Sequence, residues 1–254
     1  MKDYLIDTHA HIDMLEETPS AVTSDMAEYG VKKAIIPAVE EKTSDIVIKI
    51  AEENENIYSM VGLFPSEAKT WNEEVKENIL RRAENSKVVA VGEIGLDYYW
   101  DKSFNNLQKE IFIEQIKMAN SLKLPVVVHD REAHKDTFDI LKEYNKSSKV
   151  LFHCFSGSVE FMKECVGEGW YIALGGVVTF KNAVKMKDVA REVPLNKLVL
   201  ETDSPYLTPV PYRGKPNKPA YVKLVAEEVA KIRNIELSEL IDVTTTNAEE
   251  FFNI

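Results

Sequence analysis

Short apolar runs recur along the whole chain, and longer amphipathic stretches separate them. Eight of these runs are rich in β-branched residues and have the length of buried strands. Because strands that alternate with helices form parallel sheets, the pattern predicts an α/β fold, and eight repeats are the number in a closed (β/α)8 barrel. The candidate strands are Tyr4 to Asp7, Ala34 to Val39, Tyr58 to Phe64, Val88 to Gly92, Pro125 to Val128, Val150 to Phe152, Tyr171 to Gly175 and Leu198 to Leu200.

Helices are predicted between these strands, where apolar residues recur at three- and four-residue spacing. The chain has no repeat, linker or break in composition, so we predict a single TIM-barrel domain over residues 1–254. A doubly wound open sheet is the alternative. Extra C-terminal helices, from Glu236 to Phe252, are expected to pack on the outside. The other helical patterns are Thr43 to Asn54, Asn72 to Asn85, Leu107 to Leu122, His134 to Tyr144, Val159 to Gly167 and Ala183 to Glu192.

The charge balance limits the partners that such a chain can bind. The sequence has 42 acidic and 31 basic residues, a formal net charge of −11. Proteins that coat duplex nucleic acid usually carry a basic face, so this class is disfavoured. An enzyme that acts on nucleic-acid ends remains possible, because bound metal ions would add positive charge that the residue count omits.

The sequence also indicates where the protein works. Its longest uncharged stretch, Gly169 to Phe180, has only twelve residues, whereas a bilayer-spanning helix needs about 20 apolar residues. The first residues lead directly into a strand and resemble neither a signal nor a transit peptide. We therefore expect a cytoplasmic protein with no membrane association, and we expect it to be a monomer.

The two cysteines, Cys154 and Cys165, are predicted to be buried thiols rather than a disulfide or a nucleophile.

Histidines are concentrated at the ends of the predicted strands. The chain has five histidines, and four of them follow strand candidates, whereas His134 begins a helix. Two carboxylates, Glu93 and Asp203, occupy the same kind of position. In a parallel barrel these strand ends meet at the C-terminal mouth, where active sites lie. The four histidines are His9, His11, His129 and His153.

Four imidazoles and two carboxylates are more ligands than one tetrahedral zinc ion needs. We therefore predict a site for two divalent metal ions, with Glu93 as the bridge between them. The ions could be magnesium, manganese or zinc. The alternative is a set of structural histidines with two turn-forming acids. Glu201 lies two residues before Asp203, and Asp7 lies two residues before His9, so both side chains should also point inward. Each is expected to orient a metal ligand rather than to bind metal directly.

Five motifs contain the candidate ligands and follow one another along the chain. They are Asp7-Thr8-His9-Ala10-His11, Gly92-Glu93-Ile94-Gly95-Leu96-Asp97, His129-Asp130-Arg131, His153-Cys154-Phe155-Ser156-Gly157 and Glu201-Thr202-Asp203-Ser204-Pro205-Tyr206. In this order they resemble the signature set of the TatD family of metal-dependent deoxyribonucleases, in the amidohydrolase superfamily. The similarity extends over essentially the whole chain and includes Thr208 to Lys215.

This resemblance implies a TIM barrel with two divalent metals that hydrolyses phosphodiester bonds, often from the 3′ end of single-stranded DNA. It assigns His9, His11 and Asp203 to one metal and His129 and His153 to the other, with Glu93 shared. One departure concerns the loop after the third strand. The family usually has Gly-x-His-Pro-His there, whereas this chain has Gly62-Leu63-Phe64-Pro65-Ser66. Both loop histidines are missing, so weaker nuclease activity is expected.

The predicted chemistry is hydrolysis by water that the metal ions activate. Two divalent cations and two ligand carboxylates would leave about two positive charges to attract a phosphate. Asp203 is the predicted proton acceptor and, with Glu93, a predicted catalytic residue. Predicted substrate contacts are Arg131, Tyr206 and Arg213, and Tyr98, Tyr99 and Trp100 could stack on bases. For Arg131 the alternative is a surface ion pair with Glu132 or Asp136, and for the aromatic residues it is loop packing.

The leading functional hypothesis is therefore a two-metal phosphodiesterase or deoxyribonuclease that acts on single-stranded or frayed DNA ends. A second hypothesis is an amide or ester hydrolase, such as a deacylase that edits mischarged tRNA, because the same barrel and metals would permit it. A third is a barrel that binds without catalysis. That hypothesis predicts the loss of at least one ligand, but all six are present.

Overall fold

Eight parallel strands form one sheet in the computed structural model, which describes residues 1–254. The spatial order of the strands follows the chain from first to last. This order excludes the doubly wound alternative, in which the strand order reverses. The strands are β1 (Leu5–Asp7), β2 (Val31–Pro37), β3 (Ile57–Val61), β4 (Val88–Asp97), β5 (Val126–Arg131), β6 (Val150–Phe152), β7 (Tyr171–Leu174) and β8 (Leu198–Leu200).

The segments that follow β1 and β8 bring the two ends of the sheet together. The backbone N–H of Thr8 donates a hydrogen bond to the carbonyl oxygen of Leu200 at 3.1 Å, and that of His11 donates to Ser204 at 2.8 Å. Ala10 and Ser204 also form a parallel bridge. The sheet is therefore a nearly closed barrel, and the predicted TIM-barrel fold is confirmed.

Helices connect the strands in the alternation that the sequence predicts. Two of them, Pro19–Glu28 and Val222–Arg233, are not among the predicted helical patterns. None of the helices is long and apolar enough to span a bilayer. The helices are α1 (Pro19–Glu28), α2 (Ser44–Glu53), α3 (Glu73–Arg82), α4 (Asn105–Leu122), α5 (His134–Tyr144), α6 (Val159–Gly167), α7 (Val184–Glu192), α8 (Val222–Arg233) and α9 (Leu237–Phe252).

The strands β4 and β5 are longer than the sequence predicts, and this difference positions two of the candidate ligands. β4 continues past Gly92 to Asp97, so Glu93 lies inside the strand. Gly95 pairs with His129 of β5, and a Cβ atom at Gly95 would lie 2.0 Å from the His129 carbonyl oxygen. The close approach of the two strands therefore requires glycine, a residue that is otherwise unfavourable in strands.

The last helix occupies a different position from the one that the sequence predicts. Ala248, Phe251 and Phe252 of α9 pack against the cluster of side chains inside the barrel, to which all eight strands contribute. Thr245 donates a hydrogen bond to the carbonyl oxygen of Tyr4, and Asn247 donates to that of Leu198, at the beginnings of two strands. The expectation that this segment packs on the outside is wrong in this respect. The end of α9 closes the amino-terminal opening of the barrel, opposite the mouth where the candidate ligands lie.

Candidate metal centre

Glu93 lies at the centre of the cluster of candidate ligands. Its Oε2 atom is 3.3 Å from Nε2 of His9, whereas its Oε1 atom is 2.8 Å from Nδ1 of His129 and 3.4 Å from Nε2 of His153. The two oxygens of one carboxylate therefore face different histidines. This arrangement is compatible with a carboxylate shared between two metal ions.

Asp203 lies on the other side of the same cluster. Its Oδ1 atom is 3.5 Å from Nε2 of His11 and 3.9 Å from Nε2 of His9. The rings of His9 and His153 stack with their centroids 3.5 Å apart. The structure thus brings all six predicted ligands together, although they come from segments distributed between residues 9 and 203 of the chain. Their roles as ligands remain predictions.

Three buried imidazole nitrogens in the cluster lack a hydrogen-bond partner. They are both ring nitrogens of His9 and Nδ1 of His11, and the two side chains are 0% and 6% exposed. Burying a polar atom without a partner is unfavourable, by about 1–3 kcal/mol in proteins. Coordination of a cation would satisfy such atoms, since neutral imidazole nitrogen is a common metal ligand. The residues present therefore fit a divalent metal centre.

The electrostatics of the cluster favour bound positive charge. Burial alone would raise the pKa of Glu93, but the neighbouring charges of His153 and His9 and a hydrogen bond from His129 hold it well below its usual range. Burial would lower the pKa values of His129 and His153, but hydrogen bonds and neighbouring carboxylates raise them to about 9 and about 10. The carboxylates therefore stabilise cationic partners in the site, whether these are protons or metal ions.

Asp97 fixes the orientation of His129 and was not identified as a site residue from the sequence. Its Oδ2 atom lies 3.0 Å from Nε2 of His129, which leaves Nδ1 directed at Glu93. Gln108 of α4 in turn binds both backbone polar groups of Asp97, at 2.9 and 3.1 Å. A carboxylate that holds the far nitrogen of a histidine is the usual support for a metal ligand. One signal in the sequence could have indicated this support: Gln108 is a polar residue in the apolar stripe of a predicted helix.

Glu201 orients a candidate metal ligand, as its position two residues before Asp203 predicts. One carboxylate oxygen is 3.1 Å from Nδ1 of His153, and the other accepts the backbone N–H of Cys154 at 2.7 Å. Asp7 behaves differently from the expectation, because it does not contact the His9 ring. It accepts the backbone N–H of His9 at 3.2 Å and two hydrogen bonds from Thr202. Asp7 thus joins the segments after β1 and β8 rather than orienting an imidazole.

Both cysteines are free thiols. Burial raises the pKa of Cys154 well above its usual range, and the nearby carboxylates of Asp203 and Glu201 add to this effect. Burial likewise raises the pKa of Cys165. A protonated thiol is a poor nucleophile, so neither cysteine has the character of a catalytic residue.

The ligand cluster opens into a cleft of about 910 Å³, and Arg131 lies on its wall. The Arg131 guanidinium group stacks over Tyr99, 3.8 Å from the ring centroid, and lies 5.5 Å from that of Trp100. The alternative ion pairs are not formed, because Asp136 binds Lys109 and Glu132 binds Lys102. Arg131 therefore has no carboxylate partner and faces the cleft.

The other predicted substrate contacts occupy different positions. Tyr206 lines the cleft with its side chain half exposed, near the ring of His11. Arg213 does not line the cleft. Its guanidinium group donates a hydrogen bond to the carbonyl oxygen of Thr208 and stacks over Phe180, 3.8 Å from the ring centroid. The structure therefore does not bring Arg213 to the metal cluster, because its side chain holds its own loop.

The unusual loop after β3 forms part of the cleft wall. The Phe64 ring packs edge-on against His129, with the centroids 4.6 Å apart. Ser66 donates a hydrogen bond to Glu67 and also lines the cleft. Gln115 of α4 holds this loop by binding both backbone polar groups of Leu63, at 2.7 and 3.0 Å. Phe64 thus places an apolar ring beside His129, and neither Phe64 nor Ser66 supplies a cationic donor to the cleft.

The fold and the site define a TIM barrel with a candidate centre for divalent metal ions. A family model described as TatD related DNase matches residues 6–253 of the chain. The chain therefore belongs to the TatD family, and it is a metal-dependent hydrolase like its relatives.

Two curated relatives are described as uncharacterized metal-dependent hydrolases. YabD of Bacillus subtilis is 40% identical, and the alignment covers 98% of this chain and 99% of YabD. YcfH of Escherichia coli is 37% identical, with 99% of this chain and 96% of YcfH covered. Among solved structures, the TatD homologue YjjV of Escherichia coli superimposes with a TM-score of 0.94 at 32% identity, and 98% of both chains is covered.

Proposed function

We propose that this protein is a two-metal phosphodiesterase that removes nucleotides from single-stranded or frayed DNA ends, with the polarity of a 3′ exonuclease. The observation that supports this proposal best is the division of the Glu93 oxygens between two groups of histidines. Two adjacent divalent cations are the usual machinery for in-line displacement at phosphorus. An open cleft rather than a closed cavity leads to the cluster, and a chain end could enter it.

The cations that line the cleft provide a second line of support. Arg131 and Lys185 both line it, and neither forms an ion pair with a carboxylate. A guanidinium or ammonium group without a carboxylate partner is available to bind a phosphate. The cleft therefore combines acidic metal ligands with cations suited to an anionic substrate.

The family resemblance implies the division of the ligands between two metal ions, and the distances in the cluster are compatible with it. His9, His11 and Asp203 would hold one metal ion, His129 and His153 would hold the other, and Glu93 would contact both. When bound, the ions would polarise the phosphoryl group and lower the pKa of an attacking water. Asp97 and Glu201 keep the imidazoles of His129 and His153 in the required orientation.

Asp203 is the group best placed to accept a proton. Its Oδ1 atom faces the histidines, and the side chain is 15% exposed toward the cleft. Burial would raise the pKa of Asp203, but a hydrogen bond from His11 and the charge of His153 hold it below the usual value. The group is therefore a carboxylate at neutral pH, and its second oxygen can accept the proton that an attacking water loses.

A panel of substrates tests this proposal. The purified protein would be reconstituted with manganese, magnesium or zinc and offered single-stranded DNA, RNA, a p-nitrophenyl phosphodiester and aminoacyl esters in parallel. We expect metal-dependent cleavage of the phosphodiesters, with mononucleotides released from the 3′ end of DNA labelled at its 5′ end. The matched control is Glu93→Ala, which should lose turnover while its circular dichroism spectrum stays native.

The same panel can overturn the proposal. Rapid hydrolysis of aminoacyl esters without phosphodiester cleavage would favour the ester or amide hydrolase, such as a tRNA-editing deacylase. Full activity of Glu93→Ala at equal folding would contradict the shared-ligand mechanism. Binding of DNA without turnover under every metal condition would indicate a non-catalytic barrel.

A further inference from the structure

A second pocket of about 310 Å³ adjoins the main cleft. It lies between the loops that follow β6 and β7, at the same mouth of the barrel as the metal cluster. Four residues line both spaces, so the pocket is a side branch of the cleft rather than a separate surface feature. They are Cys154, Ser156, Val177 and Lys185.

The inner walls of this side pocket are apolar and held in place by packing. Phe155 is 6% exposed and stacks with Phe161, and Met186 is also 6% exposed. The backbone of Gly176 approaches the loop after β8 so closely that a Cβ atom would lie 2.0 Å from the carbonyl oxygen of Leu207. The inner walls of the pocket are therefore formed by packed side chains and by closely packed backbone.

Polar groups at the pocket's edge lack partners within the protein. The Ser156 hydroxyl, the Asn182 amide and the Lys185 ammonium line the pocket, and none of them takes part in an intramolecular hydrogen bond or ion pair. All three side chains are exposed. Apolar walls with a few available polar groups are the usual composition of a small-molecule site. Lys185 lies at the junction, where it can reach a group in the main cleft.

We propose that this side pocket binds the nucleobase of the nucleotide whose phosphate lies in the main cleft. The base would lie between the apolar walls, with Asn182 and Ser156 available to its polar edge, and Lys185 would bind the attached phosphate. This inference rests on the proposed function, since a base beside a phosphate is present only in a nucleotide substrate. It adds a subsite that favours unpaired bases, because a base in a pocket cannot also be paired in a duplex.

Binding of nucleotide products tests the subsite without requiring turnover. Titration calorimetry on the metal-reconstituted protein would compare thymidine 5′-monophosphate with 2-deoxyribose 5-phosphate, which lacks the base. We expect the nucleotide to bind about tenfold more tightly, in line with the contribution of one buried or stacked base. Val177→Phe adds bulk where the pocket meets the cleft. In this variant the ratio of the two affinities, nucleotide over abasic ligand, should fall to about one.

Lys185→Gln should weaken both ligands by a similar factor and leave their ratio unchanged, because its ammonium group is assigned to the phosphate. The matched control is Lys181→Gln, an exposed lysine in the turn just before α7 that lines neither space. Thermal unfolding of Val177→Phe would confirm its fold. If that variant is unstable, Asn182→Ala provides the second test, since it should lower nucleotide affinity without affecting the abasic ligand.

Two outcomes would contradict the proposal of a nucleobase subsite. Equal affinity of the wild type for the two ligands would show that the base contributes nothing. Loss of the affinity difference in Trp100→Ala but not in Val177→Phe would show instead that the base stacks on the exposed Tyr99 and Trp100 side chains. Either result is distinct from failure of the proposed function, which is measured by phosphodiester turnover and not by product affinity.

Discussion

The orientation of His129 depends on a single carboxylate, that of Asp97, which binds the ring nitrogen opposite Glu93. Asp97→Asn should therefore lower the affinity for the metal ion on the His129 side by about 10- to 100-fold, the usual effect of losing such a support. Metal content and titration calorimetry would measure this change. Asp139→Asn, at an exposed carboxylate on α5, is the control and should bind metal normally. Unchanged metal affinity in Asp97→Asn would mean that the orienting contact is unimportant.

Phe64 and Ser66 occupy positions where the family usually has histidines, and both line the cleft. Neither can donate a cationic hydrogen bond to a phosphate, and such a contact contributes about 1.5–3 kcal/mol, or roughly ten- to a hundredfold in rate. The double variant Phe64→His with Ser66→His should therefore raise kcat/KM on single-stranded DNA without altering metal content. An unchanged rate on DNA, combined with brisk turnover of aminoacyl esters by the wild type, would instead support the ester hydrolase.

Among the secondary-structure elements, α9 has the largest effect on the barrel's amino-terminal end. Glu249 of this helix binds Lys2 and Tyr4, which precede β1, and Lys33, which lies in β2. Burial would raise the pKa of Glu249, but hydrogen bonds from these partners lower it from 4.5 to about 2. Since the pKa is lower in the folded state, the interaction stabilises the protein above pH 4.5. This contribution is lost as the pH falls toward about 2.

Glu249→Gln should accordingly lower the free energy of unfolding by about 1–2 kcal/mol at pH 7, because Lys2 is partly exposed and solvent screens its charge. The deficit relative to the wild type should shrink between pH 4.5 and pH 2. Urea unfolding at several pH values would measure it. Glu250→Gln, the exposed neighbour on the same helix, should show no such dependence. A deficit that is constant with pH would contradict the role of the Glu249 charge.

At the scale of the whole molecule, the candidate metal centre joins segments that are distant in the sequence. His9 follows β1, His153 follows β6 and Asp203 follows β8, so a bound ion would connect the two ends of the barrel sheet. Ligands that bind only the folded state raise its stability by mass action. The metal should therefore stabilise the closed barrel as well as support turnover.

Chelation tests this coupling. Addition of EDTA should abolish turnover and lower the Tm by about 5–10 °C, the shift expected from a ligand present at about 100 times its Kd in a chain of this length. Manganese, zinc or magnesium added back should restore both properties. In Glu93→Ala the Tm should not respond to these additions. A Tm that is insensitive to metal in the wild type would show that the ions do not hold the barrel ends together.

Local patterns in the sequence determined most of the architecture. Eight apolar runs separated by amphipathic stretches specify parallel strands and covering helices, because each run can bury its surface only against such neighbours. The placement of four histidines and two acids at strand ends then identifies the candidate site, because parallel strands bring their carboxyl ends to one mouth. These inferences need only the order of residues along the chain.

Only the tertiary structure decided which side chains support the ligands and which face the cleft. Asp97 and Gln108 act across elements, and Arg213 turns toward Phe180 instead of the metal cluster. The end of α9 likewise closes the barrel because its phenylalanines pack into an apolar cluster to which all eight strands contribute. Such contacts join residues far apart in the sequence. Their geometry depends on how whole elements pack, which no local spacing encodes.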